Sequence, residues 1–229
     1  MSPLYTLIDN QPDFLVVDKK SGASIHNESG QGLIQQLRRD FVSEHIVPVH
    51  RLDKGTSGLL VCAKNTEANR ALSQLFRERQ IEKYYLAISD KKPSKKQGWI
   101  IGDMVRTRNG SWKLTKDRSN PAITQFFSYG LGEGKRLFVL KPHTGKTHQL
   151  RVALKSISAP ILGDQRYGYK DQEITLHLHA YSLRFPLLGC SHCYQSPPSG
   201  EGFSQGVLDY IEQHLVEPWA LNWPSIKKV

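Results

Sequence analysis

Two short stretches concentrate the side chains able to do chemistry. His50-Arg51-Leu52-Asp53-Lys54-Gly55-Thr56-Ser57-Gly58 sets an aspartate among cations in a loop broken by two glycines. An aspartate so placed suits a nucleophile or general base. The same spacing also suits an Asx-turn, in which the carboxylate bonds back to its own loop. About 90 residues later, His143-Thr144-Gly145-Lys146-Thr147-His148-Gln149-Leu150-Arg151 runs a glycine turn into a helix predicted to begin near Thr147. Such a helix start can hold an anionic group, and Arg151 can grip a carboxylate with two parallel hydrogen bonds.

The elements that position these stretches are legible as patterns. Asp13 to Asp18 is a short apolar run ending in a turn at Lys19-Lys20-Ser21-Gly22, and reads as a buried strand. Leu33, Ile34, Leu37 and Phe41 recur at helical spacing, as do Ala68, Ala71, Leu72, Leu75 and Phe76 after an apparent cap at Thr66. Ile46–Leu52, Leu59–Ala63, Tyr84–Ile88, Ile123–Tyr129, Arg136–Lys141 and Thr175–Phe185 read as strands. An amphipathic helix follows over Phe203–Leu215. Strands and helices without regular alternation indicate an α+β fold rather than a doubly wound sheet.

Charge narrows the class of partner. Among 229 residues, 31 Lys and Arg face 21 Asp and Glu, a net charge of +10. An excess of that size suits a polyanion, because contacts to phosphates release condensed counterions. It is densest over Lys91–Arg118, where nine basic residues face two acids, with Trp112 as a stacking surface. Either a strand pair with a basic outer face or a solvated loop fits that segment. No apolar run spans a bilayer and no secretory signal is visible, so a cytoplasmic protein is expected. Three cysteines argue against a disulfide framework. Cys190-Ser191-His192-Cys193 is half of a zinc pattern without its second half, so no metal is expected.

Five segments in order resemble the signature of the RluA-type pseudouridine synthases. They are His50-Arg51-Leu52-Asp53 with Thr56-Ser57-Gly58; Lys83-Tyr84-Tyr85-Leu86-Ala87; Gly145-Lys146-Thr147-His148-Gln149-Leu150-Arg151; Pro160-Ile161-Leu162-Gly163-Asp164 with Tyr167-Gly168; and Leu176-His177-Leu178-His179-Ala180. Each piece is weak alone, and five in order are specific. The resemblance runs from about residue 5 to about residue 190.

It implies a mixed, mainly antiparallel sheet with flanking helices around a central RNA-binding cleft, in a single catalytic domain over 1–229 made of two sub-halves. It implies an isomerase that breaks the bond between sugar and base in an RNA uridine and re-forms it at carbon 5. Asp53 falls on the family's nucleophile, Arg151 on the arginine that pairs with it, and Tyr85 on the tyrosine that packs against uracil. Leu150 falls on an apolar position of the uracil pocket, and Arg51 on the arginine that fills the gap left by the extruded base. Lys54, Thr56, Lys146 and His148 join Arg51 as RNA contacts near the site, and Lys95, Lys96, Arg106 and Arg108 extend them along the basic segment. The implied partner is a stem-loop of ribosomal or transfer RNA, met by a monomer without cofactor. The competing reading is a catalytically silent RNA-binding or chaperone module of the same fold. Where the family often has Lys-Pro-x-Gly, this chain has Lys19-Lys20-Ser21-Gly22.

Overall fold

A computed structural model describes residues 3–26, 32–168, 174–199 and 203–225. Along the chain the elements are β1 (Tyr5–Asn10), β2 (Phe14–Lys19), α1 (Leu33–Asp40), β3 (Val47–Pro48), β4 (Ser57–Ala63), α2 (Thr66–Arg77), β5 (Glu82–Ser89), β6 (Gln97–Gly102), β7 (Met104–Arg106), β8 (Trp112–Leu114), β9 (Ala122–Gly132), β10 (Lys135–Pro142), α3 (Gln149–Ser156), β11 (Leu178–Leu187), β12 (Cys190–Gln195) and α4 (Gln205–His214). Two compact units form, one from residues 1–83 with 179–198, the other from 84–178 with 199–229.

In the first unit the strands run β1-β2-β4-β11, with β12 on β11 and β3 on β4. All pairs are antiparallel except β4 with β11, where Ser57 and Gly58 lie opposite His179 and Ala180. Gly58 makes that approach achievable. A Cβ there would sit 2.3 Å from the Ala180 carbonyl oxygen, and its φ of +106° is one that L side chains rarely adopt. Phe14, Val16, Leu59, Val61, Leu72, Ile81, Leu183 and Phe185 pack as one core. Deleting any of these large side chains would cost about 2–5 kcal/mol through lost burial and the cavity left behind.

In the second unit the order is β5-β10-β9-β6, antiparallel throughout, and β7 with β8 forms a separate two-stranded hairpin. The fold class is the α+β arrangement read from the sequence, with mainly antiparallel pairing. Several local expectations need correction. β1 carries no apolar run to mark it in the sequence, because its side chains are half-buried or exposed and it lies at the edge of the sheet. The helix cap is Asn65, whose side chain accepts the Ala68 amide at 2.8 Å, and not Thr66, which is already helical. Only Val47–Pro48 of the run 46–52 is strand. β11 begins at Leu178, three residues later than Thr175, so His177 lies before it. α3 begins at Gln149, two residues later than Thr147. No helix among the described residues is long and apolar enough to cross a membrane.

Candidate active site

The aspartate loop of the first unit is held on three sides. Upstream, His50 accepts the Val61 amide at Nε2 (3.0 Å) and stacks on Phe76 at 4.7 Å, while the Lys83 ammonium lies 5.6 Å from the centre of that ring. Burial, with the Lys83 charge adding to it, pushes the His50 pKa down to about 3. His50 is thus a neutral acceptor that fixes the backbone entering Arg51-Leu52-Asp53. Leu52 is buried beneath, Arg51 is exposed and Asp53 is half-buried.

Laterally, Lys19 turns inward at the end of β2 and is fully buried. Its ammonium donates to the carbonyls of Lys20 (3.0 Å), Ala23 (2.9 Å) and Lys54 (3.1 Å). Burial lowers its pKa to about 8, opposed by the charges of Asp53 and Asp18. The Lys54 carbonyl also accepts the Gly22 amide at 2.9 Å, and Ser21 Oγ donates to the Gly55 carbonyl at 2.8 Å. The turn after β2 is therefore stitched to the backbone that carries Asp53. A buried ammonium fills all three donor positions here, and this is the lysine of the family pattern, retained where the proline after it is not.

Downstream, the buried His179 shares a 2.9 Å bond at Nδ1 with Ser57 Oγ and meets the Ser196 carbonyl at Nε2 (2.7 Å). A carbonyl only accepts, so Nε2 bears the proton and Ser57 donates to Nδ1. Ser196 Oγ in turn donates to Asp18. His179 thus makes structural hydrogen bonds. Thr56, expected among the RNA contacts, is buried at 3% exposure and faces the interior of this loop rather than solvent. Lys54 is exposed.

In the second unit the Gly145–Arg151 stretch is organised by Gln149. Its Nε2 donates to the Ile123 carbonyl and Thr124 Oγ1 (both 3.0 Å), and its Oε1 accepts Thr144 Oγ1 (2.7 Å) and the Lys146 amide (3.0 Å). The start of α3 is thereby pinned to β9. The Gln149 amide is spent on the Lys146 carbonyl at 3.1 Å, and His148 takes a left-handed conformation (φ +56°) as it enters the helix. One of the amides at this helix start is thereby already taken within the turn. Lys146 reaches Asn120 Oδ1 at 2.6 Å.

Arg151 is gripped by Asp164, with Nε to Oδ2 and Nη2 to Oδ1 both at 2.8 Å. The Asp164 side chain has no solvent exposure and Arg151 has 12%. Oδ1 also accepts the amides of Arg166 and Tyr167, each at 3.1 Å. The turn that aims this carboxylate needs glycine at 163. There φ is +75°, and a Cβ would fall 2.0 Å from the Thr175 carbonyl. Tyr167 lies with its ring 5.1 Å from the Arg151 guanidinium and its hydroxyl 2.8 Å from His148 Nδ1. Burial raises the Tyr167 pKa, so the phenol keeps its proton. Leu150 and Tyr85 are buried, at 7% and 9% exposure. Tyr84, with its ring 5.9 Å from Trp223 and 5.2 Å from the Lys141 ammonium, belongs to the packing of this unit. Lys95, Lys96, Arg106 and Arg108 are exposed.

Sequence reasoning did not assign roles to His50, Lys19, Gln149, Asp164 or Tyr167 within these networks. Little in the sequence marks them out: Lys19 stands between Asp18 and Lys20, at the end of an apolar run where a turn begins.

Residues 13–156 match the family described as RNA pseudouridylate synthase. The chain belongs to that family. Its activity is the isomerisation of uridine to pseudouridine in RNA. An uncharacterized RNA pseudouridine synthase of Haemophilus influenzae is 45% identical over 211 residues, covering 90% of this chain and 94% of that protein. Ribosomal large subunit pseudouridine synthase D of Borreliella burgdorferi is 42% identical over 66% of this chain, which spans 48% of that relative. Among solved structures, human RNA pseudouridylate synthase domain containing 1 superposes with a TM-score of 0.76 at 26% identity, over 97% of this chain and 98% of that one.

Proposed function

We propose that the protein isomerises a specific uridine in a structured ribosomal or transfer RNA, acting as a monomeric cytoplasmic enzyme whose 229 residues serve as one catalytic domain. Asp53 is the nucleophile and Arg151 the cation that serves it. Tyr85 and Leu150 hold the uracil. Arg51 occupies the gap left in the RNA, offsetting an unstacking cost of a few kcal/mol. Lys54, Lys146 and His148 contact the nearby backbone. Lys95, Lys96, Arg106 and Arg108 attract phosphates farther out.

The reaction balances without a co-reactant. The bond from the sugar carbon to uracil N1 breaks, the ring turns, and the sugar carbon bonds to C5. The proton leaves C5, and N1 gains one. The single observation that carries this reading is the aspartate loop itself. The backbone that carries this half-buried carboxylate is held from three sides by His50, Lys19 and the Ser57–His179 pair, with the Lys19 ammonium charge beside it. A passive RNA binder has no use for an anion carried on so firmly held a loop of a cationic protein.

The test is tritium release from RNA labelled at uracil C5, drawn from cells that lack the protein. Asp53→Asn is expected to abolish release while RNA affinity stays within about twofold, since one lost carboxylate removes no phosphate contact. Release persisting in Asp53→Asn would overturn the assignment, and no release by the wild type would favour the silent binder.

A further inference from the structure

The β7–β8 hairpin stands apart from the main strands of its unit, and carries exposed Arg106 and Lys113 with Arg108 in the turn at its tip. It is fastened at two places. At its base, the Asp103 carboxylate accepts the amides of Ser119 (3.2 Å) and Asn120 (2.9 Å), and its carbonyl accepts the Thr115 amide (2.8 Å). At its far end it rests on the turn that holds Arg151. The Trp112 amide donates to Tyr167 Oη at 3.1 Å, and Arg166 Nη1 donates to the Asn109 carbonyl at 2.9 Å.

Tyr167 thus touches two things at once. Its hydroxyl takes an amide of the cationic hairpin, while its ring lies against the Arg151 guanidinium and its own amide supports the carboxylate that grips that arginine. The residue is 4% exposed, so it has little room to move independently of either neighbour. A shift of the hairpin is therefore felt at this ring through the Trp112 bond, beside the Arg166–Asn109 bond and the packing of β8 on α3.

We propose that Tyr167 is a positioning residue that couples RNA seated on the β7–β8 hairpin to the orientation of Arg151. The proposal rests on the catalytic reading of Arg151 given above and deepens it. RNA phosphates drawn to Arg106, Arg108 and Lys113 seat the hairpin, and the seated hairpin presses Tyr167 into the place that aims the guanidinium. An RNA that reaches the uridine pocket without engaging the hairpin binds but reacts slowly. Selectivity is then exerted on the rate as well as on affinity, as when binding energy from remote parts of a substrate is used to order a site.

The experiment uses the full chain with C5-tritiated total RNA from cells lacking the protein, under single-turnover conditions. It reads the rate at saturating protein and the half-saturating concentration for wild type, Tyr167→Phe, Arg166→Gln, the hairpin pair Arg106→Gln with Arg108→Gln, and the hairpin pair combined with Tyr167→Phe. Tyr167→Phe, which gives up the Trp112 and His148 bonds but no side chain placed on the RNA, is expected to lower the saturating rate by about tenfold with a shift in half-saturation of less than about twofold. The hairpin pair should depress both quantities' performance in the wild type, but only weaken half-saturation once Tyr167 is Phe. Arg166→Gln, at an exposed position, loosens the same seam and should lower the saturating rate without unfolding the chain, so it decides the matter if Tyr167→Phe does not fold. Saturating rates within twofold of wild type for both single variants, or hairpin and Tyr167 effects on rate that simply multiply, would overturn the coupling. Asp53→Asn run in parallel separates the two claims, because release surviving in that variant sinks the catalytic reading whatever Tyr167 does.

Discussion

Asp164 holds Arg151 by the Nε–Nη2 edge of its guanidinium, both contacts at 2.8 Å, on a carboxylate wholly withdrawn from solvent. The same carboxylate takes two backbone amides of its own turn. A buried anion with four donors is well compensated, and the cost of the arrangement appears when one partner is removed.

Asp164→Asn should therefore destabilise the protein by about 3 kcal/mol, since it leaves a mostly buried guanidinium uncompensated. For a chain of this size that corresponds to a melting-point decrease of roughly 6–12 °C. Turnover of tritiated RNA should fall by about 100-fold below the melting range, because Arg151 loses its fixed orientation. A melting point within a degree or two of wild type would show that the pair does little for stability.

Lys19 sets opposite pH trends for stability and activity. Its pKa is about 8 in the folded protein against an ordinary 10.5, with burial the leading cause. Between those values the unfolded chain holds a proton that the folded one lacks, so this group's contribution to stability rises with pH across the window. Activity should move the other way. As the ammonium deprotonates through about pH 8 it loses a donor to the Lys20, Ala23 and Lys54 carbonyls and its charge beside Asp53. A rate profile from pH 6 to 10 should decline through about pH 8 in the wild type and start low and flat in Lys19→Met. A wild-type profile flat to pH 9.5 would contradict this.

His50 governs acid sensitivity. Its folded pKa near 3 lies below the ordinary 6.5 because the ring is buried, with Lys83 adding to the effect. The unfolded chain binds the extra proton between those values, so stability is fully present above pH 6.5 and is lost as pH falls toward 3. His50→Gln keeps an acceptor for the Val61 amide and removes the titration. Its melting point should fall less steeply from pH 6.5 to 4 than that of the wild type. Equal slopes would show that other groups dominate.

The exposed cations Lys95, Lys96, Arg106 and Arg108 are expected to set salt dependence. Neutralising all four should reduce the slope of log affinity against log salt by about 3, close to one counterion per lost phosphate contact. Filter binding of labelled RNA from 50 to 300 mM salt measures this, and an unchanged slope would make the segment a solubilising face.

The family, the strand-rich α+β class and the two polar stretches were determined by the sequence alone, because each depends on neighbours in the chain. Alternating or continuous apolar runs mark β2, β4, β5, β9 and β10 through local burial needs, and the order of five short motifs survives as text. The sequence left Asp53 open between an Asx-turn and a nucleophile, and it offered no reason for Asp164 to be more than a turn residue. Tertiary structure decided what holds the Asp53 loop, since Lys19 and His179 reach it from strands far apart in sequence and His50 ties its entry to Val61 on β4. It also decided that Asp164 grips Arg151 and that Tyr167 joins Arg151 to a hairpin 55 residues away. Burying a charge is costly unless a partner arrives through the fold. Such partners are chosen by three-dimensional packing, and no local periodicity records them.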